Sequence, residues 1–328
     1  MSPFAMRGVV VTDSGITRWV RPAVILVATD LTDLDRLMPF ALQQALETSA
    51  RLVMLHVIHD RAGMAANPIG TPGHEPATVR ESATKILETS CSFLRQYSVE
   101  CDAVVREGDA SQKIADSARE FQADRILMGT RNRSKGSKLL LGSVVKQVLR
   151  SVNPPVMTVG PEAYLRVNYK GDEKVVLYAT TLGETSRPGA VLACRIAAAG
   201  KARLVLLHVL PQIQDIQSSG QPALLHSSAR RKLRQLVEES GALEICGSRL
   251  VETRIEHGIP SDEILAAASE LKASLIVLGT TQRSTLLRLT RDRTIYHVLA
   301  HARCPVLTLI EPLPADQPRT FQHIAVPA

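Results

Sequence analysis

The segment VILVATDL, beginning at Val24, returns as VVLYATTL beginning at Val175, and three further segments return in the same order. RLVMLHVI from Arg51 is answered by RLVLLHVL from Arg203, ADRILMGTRNRS from Ala123 by ASLIVLGTTQRS from Ala273, and NPPVMTVGPE from Asn153 by RCPVLTLIEP from Arg303. The offsets are 151, 152, 150 and 150 residues. A nearly constant offset of this size means a duplicated domain, not a solenoid, whose repeats run to about 20–50 residues. The expected organisation is an extension over 1–20, a first domain over 21–162, a linker over 163–171, a second domain over 172–312 and a Pro-rich tail over 313–328.

Composition agrees with two globular units. The length is 328 residues, and apolar residues make up 45% against 22% charged, so each half can bury a core. The formal charge of +7 favours anionic partners. Aromatics are only 3%, which disfavours single-stranded nucleic acid, a ligand bound by stacking bases on rings. The five cysteines (Cys91, Cys101, Cys194, Cys246, Cys304) are scattered and never form Cys-x-x-Cys, so reduced thiols in a cytoplasm are expected. Asp13, Arg18 and Arg21 interrupt the apolar start of the chain, and no run reaches the ~18 apolar residues of a membrane span. A cytoplasmic protein without membrane contact is the expectation.

Within the first half, strands are expected near Ala23–Thr29, Leu52–Ile58, Asp102–Arg106, Arg125–Gly129 and Val156–Val159. Between them, apolar residues recur at helical spacing: Leu37, Phe40, Ala41 and Ala45; Ile86, Leu87, Phe93 and Leu94; Ile114, Ala115 and Ala118; Val144, Val145, Val148 and Leu149. Strand–helix alternation implies a parallel sheet covered on both faces. The fold class is therefore α/β, as two tandem doubly wound five-stranded parallel-sheet domains. Such sheets bind ligands beyond the carboxyl ends of their strands, where strand order reverses.

Two features lie at those ends. Asp30 follows the first strand, either as a ligand contact or as a turn and helix-capping residue. The fourth strand opens into GTRNRSKGSKLLLGSVVKQVLR, in which Gly129 permits a tight turn and Gly142-Ser143 stands at a helix start, where free N–H groups favour phosphate. From Gly129 to Arg150 there are six basic residues (Arg131, Arg133, Lys135, Lys138, Lys146, Arg150) and no acidic ones, which is either an anion site or a solvated basic face.

These residues resemble the universal stress protein family, whose nucleotide-binding members carry Gly-x2-Gly-x9-Gly-Ser/Thr after the fourth strand and Asp after the first. The resemblance covers both halves, including His56-Val57 and His208-Val209, Gly108 and Gly258, and Pro155-Val156 and Pro305-Val306. It implies sandwiches of the adenine nucleotide alpha hydrolase type whose fifth strands pair, so that the chain is an intramolecular pseudo-dimer. It also implies ATP, with Mg2+, held by Ala28, Thr29, Asp30, Val57, Met128, Gly129, Arg131, Asn132, Gly142, Ser143 and Val144. Asp30 would face the ribose; Val57, Met128 and Gly129 the base; Asn132, Gly142 and Ser143 the phosphates. Asn132 replaces the second loop Gly, and Ala28 stands where the family often has Pro. In the second half Thr181 replaces the Asp, Gln282 the second Gly and Asp292-Arg293 the Gly-Ser, so no nucleotide is expected there in the family manner.

Other motifs are weaker. His297 and His301 share a helical face without the HExxH signature, HGIP at His257 falls at a repeat position matching EGDA, and Walker A and Gly-x-Ser-x-Gly are absent. No general base or nucleophile is evident near the loop, so binding is favoured over turnover. Three readings remain open: a nucleotide-binding regulator acting through a homodimer or another protein partner; a nucleotide-independent scaffold; and a slow ATPase or self-phosphorylating protein with Ser143 or Ser137 as acceptor. The long segments after His59 and Gln212 lie near the expected site, as lids or as tolerated insertions.

Overall fold

The computed structural model describes residues 13–59, 76–130, 141–165, 173–183, 186–211, 221–281 and 288–311. The first half contributes β1 (Val24–Thr29), α2 (Leu34–Thr48), β2 (Arg51–Ile58), α3 (Pro76–Arg95), β3 (Cys101–Glu107), α4 (Ala110–Glu120), β4 (Arg125–Gly129), α5 (Ser143–Ser151) and β5 (Val156–Val159), preceded by α1 (Asp13–Val20). The second half contributes β6 (Val175–Ala179), α6 (Ser186–Ala199), β7 (Arg203–Leu210), α7 (Gln221–Glu239), α8 (Ala242–Cys246), β8 (Val251–His257), α9 (Pro260–Glu270), β9 (Leu275–Thr281), α10 (Arg288–His301) and β10 (Val306–Glu311).

All ten strands form one sheet in the order β3-β2-β1-β4-β5-β10-β9-β6-β7-β8. Each half is parallel and doubly wound, with its order reversing between the first and fourth strands. The halves meet where β5 pairs antiparallel with β10, Met157 opposite Leu307. The edge pairing of fifth strands that the family resemblance implied is thus present within one chain, and it removes two exposed edges. Because the strands are buried on both faces, they read as continuous apolar runs: Ile25, Leu26 and Val27 are all fully buried, two facing one helical layer and one the other.

Three differences from the sequence reading have physical causes. The apolar face of α3 is Ala83, Leu87, Cys91 and Leu94, one stripe at i, i+4 and i+3 spacing, whereas Ile86 and Phe93 lie one position off that stripe and are exposed. Cys91 and Cys101 are joined in a disulfide, because the turn from α3 into β3 brings their Cα atoms to 5.2 Å. That corrects the expectation of five reduced thiols; Cys194, Cys246 and Cys304 are not in disulfides. The third is α1, within the stretch read only as an extension. It buries Ile16, packs Trp19 against the core, and ties the halves together through Arg18 to Asp124 (2.9 Å) and Arg195 to Thr17 (3.2 Å).

Candidate functional site

The strand order of the first half reverses between β1 and β4, and their registers place Ala28 beside Met128. Thr29 and Asp30 therefore emerge next to Gly129 at the carboxyl edge. Ala28, Thr29 and Met128 are buried, while Asp30, Gly129 and Val57 of β2 are partly open. One Asp30 oxygen accepts bonds from the Thr32 backbone N–H (2.9 Å) and hydroxyl (2.7 Å), so this carboxylate also shapes the turn into α2. Leu31 sits at φ 70, its N–H donating to the Thr29 hydroxyl at 2.9 Å.

Two residues beneath this turn escaped the sequence reading. Asp33 is buried, accepts the Thr29 hydroxyl at 2.6 Å and lies 3.7 Å from Arg36. Burial pushes its carboxyl above the ordinary carboxylate range, opposed by the Thr29 bond and by Arg36. A side chain on Gly129 would overlap this carboxylate, so the glycine is required for α2 to approach β4. Their only sequence signal was the run of alternating acids in LTDLDR, which reads equally well as a helix start.

The connection from β4 to α5 is closed at its mouth. The Gly142 N–H donates to the Thr130 carbonyl (3.1 Å), and the Thr130 N–H donates to Val159 (3.2 Å). Thr130 is buried with its hydroxyl unpartnered, a further polar group at the loop mouth. Gly142 precedes α5 at φ −59, where the added carbon of a side chain would make only ordinary contact. Ser143 is exposed and Val144 half-buried at the first turn, whose N–H groups and partial positive charge point back to the switch point. Val145, Val148 and Leu149 bury the opposite face and fix the direction of α5. The structure thus brings Ala28, Thr29, Asp30, Met128, Gly129, Gly142, Ser143 and Val144 to one edge, with Val57 one strand beyond β1. Arg131 and Asn132 lie outside the described residues, as do Lys135 and Ser137.

Residues 23–160 and 173–309 each match the universal stress protein family. The chain belongs to the universal stress protein family. A universal stress protein of Methanocaldococcus jannaschii is 32% identical over 97 residues, 30% of this chain and 49% of that one, so the chain matches about half its length. One from Thermus aquaticus is 30% identical over 134 residues, covering 41% of this chain and 96% of that protein. The crystal structure of a universal stress protein from Archaeoglobus fulgidus superposes with a TM-score of 0.65 at 21% identity, covering 89% of this chain and 98% of that one, a likeness of fold.

The second universal stress protein half keeps the turn and shortens the connection from strand to helix. Leu182 has φ 56 and donates to the Thr180 hydroxyl at 3.1 Å, as Leu31 does to Thr29, so this turn belongs to the fold and not to a ligand. Beyond Gly279, however, β9 continues through Thr280 and Thr281, paired with Ile310 and Glu311 of β10. At the other end α10 begins at Arg288, five residues ahead of Arg293, which is the counterpart of Ser143 at an offset of 150. The N–H groups that are free at the start of α5 therefore lie inside a helix in the second half. The side chain of Asp292, and Gln282, lie outside the described residues.

His56 and His208 occupy matching positions, each with Nδ1 against the carbonyl of the residue that opens the turn, at 3.0 Å to Thr29 and 2.9 Å to Thr180. Both are sheet-edge hydrogen-bonding residues. Burial lowers the His208 pKa below its ordinary value of 6.5. The folded state thus favours neutral His208, whose contribution is whole above pH 6.5 and declines as pH falls below it. His208→Gln should flatten the loss of stability below pH 6.5 in urea titrations at stepped pH; an unchanged pH profile would assign that loss to other groups.

Proposed function

We propose that the first half binds an adenine nucleotide, ATP with Mg2+ as counter-ion, and that the loaded state regulates a stress response through a homodimer or another protein partner. The observation that carries this reading is the Thr130–Gly142 closure. It sets the exposed start of α5 against the β1–β4 switch point, the arrangement that suits a phosphate chain, with Asp30 beside it for a ribose. Phosphates would take the N–H groups of Ser143 and Val144, with Gly142 leaving them room beside the closure and Arg131 and Asn132 of the same connection adding their side chains. Bound Mg2+ would offset phosphate charge. Regulation follows from linkage: a ligand favouring one assembly state shifts the population toward it. The cytoplasm suits a nucleotide ligand, and the Cys91–Cys101 bond is the feature that sits against that compartment.

The test is calorimetric titration of ATP and Mg2+ into nucleotide-stripped protein, beside Gly142→Arg. The substitution has room at its Cβ, so the fold is expected to survive while the side chain blocks the phosphates. One site per chain, weakened by about 100-fold or more in the variant (about 2.7 kcal/mol), is the expected result. Absence of binding in both proteins would favour the scaffold reading, to which the longer β9 and earlier helix start of the second half and the continuous sheet already lend weight. Phosphate release or labelling of Ser143 or Ser137 that vanishes with Gly142→Arg would favour slow turnover.

A further inference from the structure

A cleft of about 330 Å³ lies over the β5–β10 seam, with walls from both halves. On one side stand Phe40 and Gln44 of α2 and Arg125 at the head of β4; on the other, Val176 and Ile196 of the second half; Met157 forms part of the lining. Arg125 begins β4 and Gly129 ends it, so the two are separated by about 13 Å of strand. The cleft is therefore distinct from the edge considered above.

Arg125 is 3% exposed. Nη1 donates to the Gln44 side chain and Nη2 to the Trp19 carbonyl, both neutral, and Nε has no partner. The nearby acids are engaged elsewhere. Asp124 accepts from the Ala23 and Val24 N–H groups and from Arg18, and Glu47 accepts from Gln43 and Lys174. Among the described residues no carboxylate contacts this buried cation, a costly arrangement, and burial draws Arg125 down to about 10. Arg21, Lys174 and Lys201 add positive charge to the lining against the single acid Glu47. Phe40, Met157, Val176 and Ile196 supply an apolar surface. A volume near 300 Å³ is the lower end of small-molecule sites, which pair apolar walls with a few placed polar groups.

We infer that this cleft binds a small organic anion, a carboxylate borne on an apolar ring, with Arg125 as the group that meets the carboxylate. The ligand would bridge the halves, since its anion would lie against the first and its ring against residues of both.

Trp19 is the one tryptophan of the sequence; its carbonyl holds Arg125 and the two residues after it, Val20 and Arg21, line the cleft, so its emission is the probe used. The experiment titrates cyclohexanecarboxylate, which is optically silent, and its uncharged amide into the full chain. A saturable emission change with the acid, at least about tenfold weaker with the amide and with Arg125→Gln, is expected. Arg21→Gln, an exposed change at the rim, should weaken the acid several-fold and serves if Arg125→Gln does not fold. Gly142→Arg should leave this titration unchanged, which separates it from the nucleotide reading. Equal response to acid and amide, unaltered binding in folded Arg125→Gln or in Arg21→Gln, or no saturable response to the acid would each overturn the inference.

Discussion

Leu307→Asp is expected to cost the protein about 4 kcal/mol or more and to lower its melting temperature by roughly 10 °C or more. Leu307 is fully buried at the centre of the ten-stranded sheet, opposite Met157 across the seam and beside Val277 of β9. A carboxylate there would be fully buried in an apolar cluster with Met157 and Val277 as its strand neighbours. It would have to be protonated or the strands would have to part, and either course weakens both halves at once. Leu307→Met, which keeps volume and polarity, should cost less than about 1.5 kcal/mol. Thermal unfolding followed by circular dichroism separates the two. Equal melting of both variants would mean that the halves are stable without their shared strand pair.

Removing residues 1–20 should destabilise the chain by about 3–6 kcal/mol, since each large apolar side chain lost from the core is worth about 1.5–3 kcal/mol. Ile16 and Trp19 leave the core together. Arg125 loses the Trp19 carbonyl while staying buried, and Asp124 loses Arg18. An abandoned buried donor adds about 1–3 kcal/mol on its own. Urea unfolding of the shortened chain should show the midpoint falling, with faster proteolysis in the α6 region that α1 covers. A midpoint unmoved by truncation would reduce α1 to a passive appendage.

The duplicated pattern, the ten strands and their parallel order were legible in the sequence because burial on both faces leaves uninterrupted apolar runs, as in VILVAT and RLVLLHVL. The positions of Asp30, Gly129 and Gly142-Ser143 followed from strand ends and from the family's motif. What was not legible depended on contacts between distant segments. DSGITRWV reads as a mixed polar stretch, and only the groove beside α6 makes a helix of it. Asp33 and Arg36 look like an ordinary helix start until Gly129 brings β4 against them. Arg125 resembled a polar strand end, since nothing in ADRILMG shows that a backbone carbonyl 106 residues away will hold it. In the second half, Asp292-Arg293 marked the loss of the Gly-Ser pair. The lengthening of β9 goes with its pairing to β10, beyond the reach of a motif.

The antiparallel join at Met157 and Leu307 also sets a stoichiometry. Two separate polypeptides, one carrying the Gly142-Ser143 edge and one not, would assort at random, and only about half of the pairs would be mixed when both are equally abundant and equally adhesive. Tethering the two on one chain makes every molecule mixed from synthesis onward, at a ratio that neither dilution nor expression level can alter. If nucleotide acts on the first half, its counterpart is always the same unresponsive neighbour, and any change in shape is expressed against a fixed reference built into the same sheet.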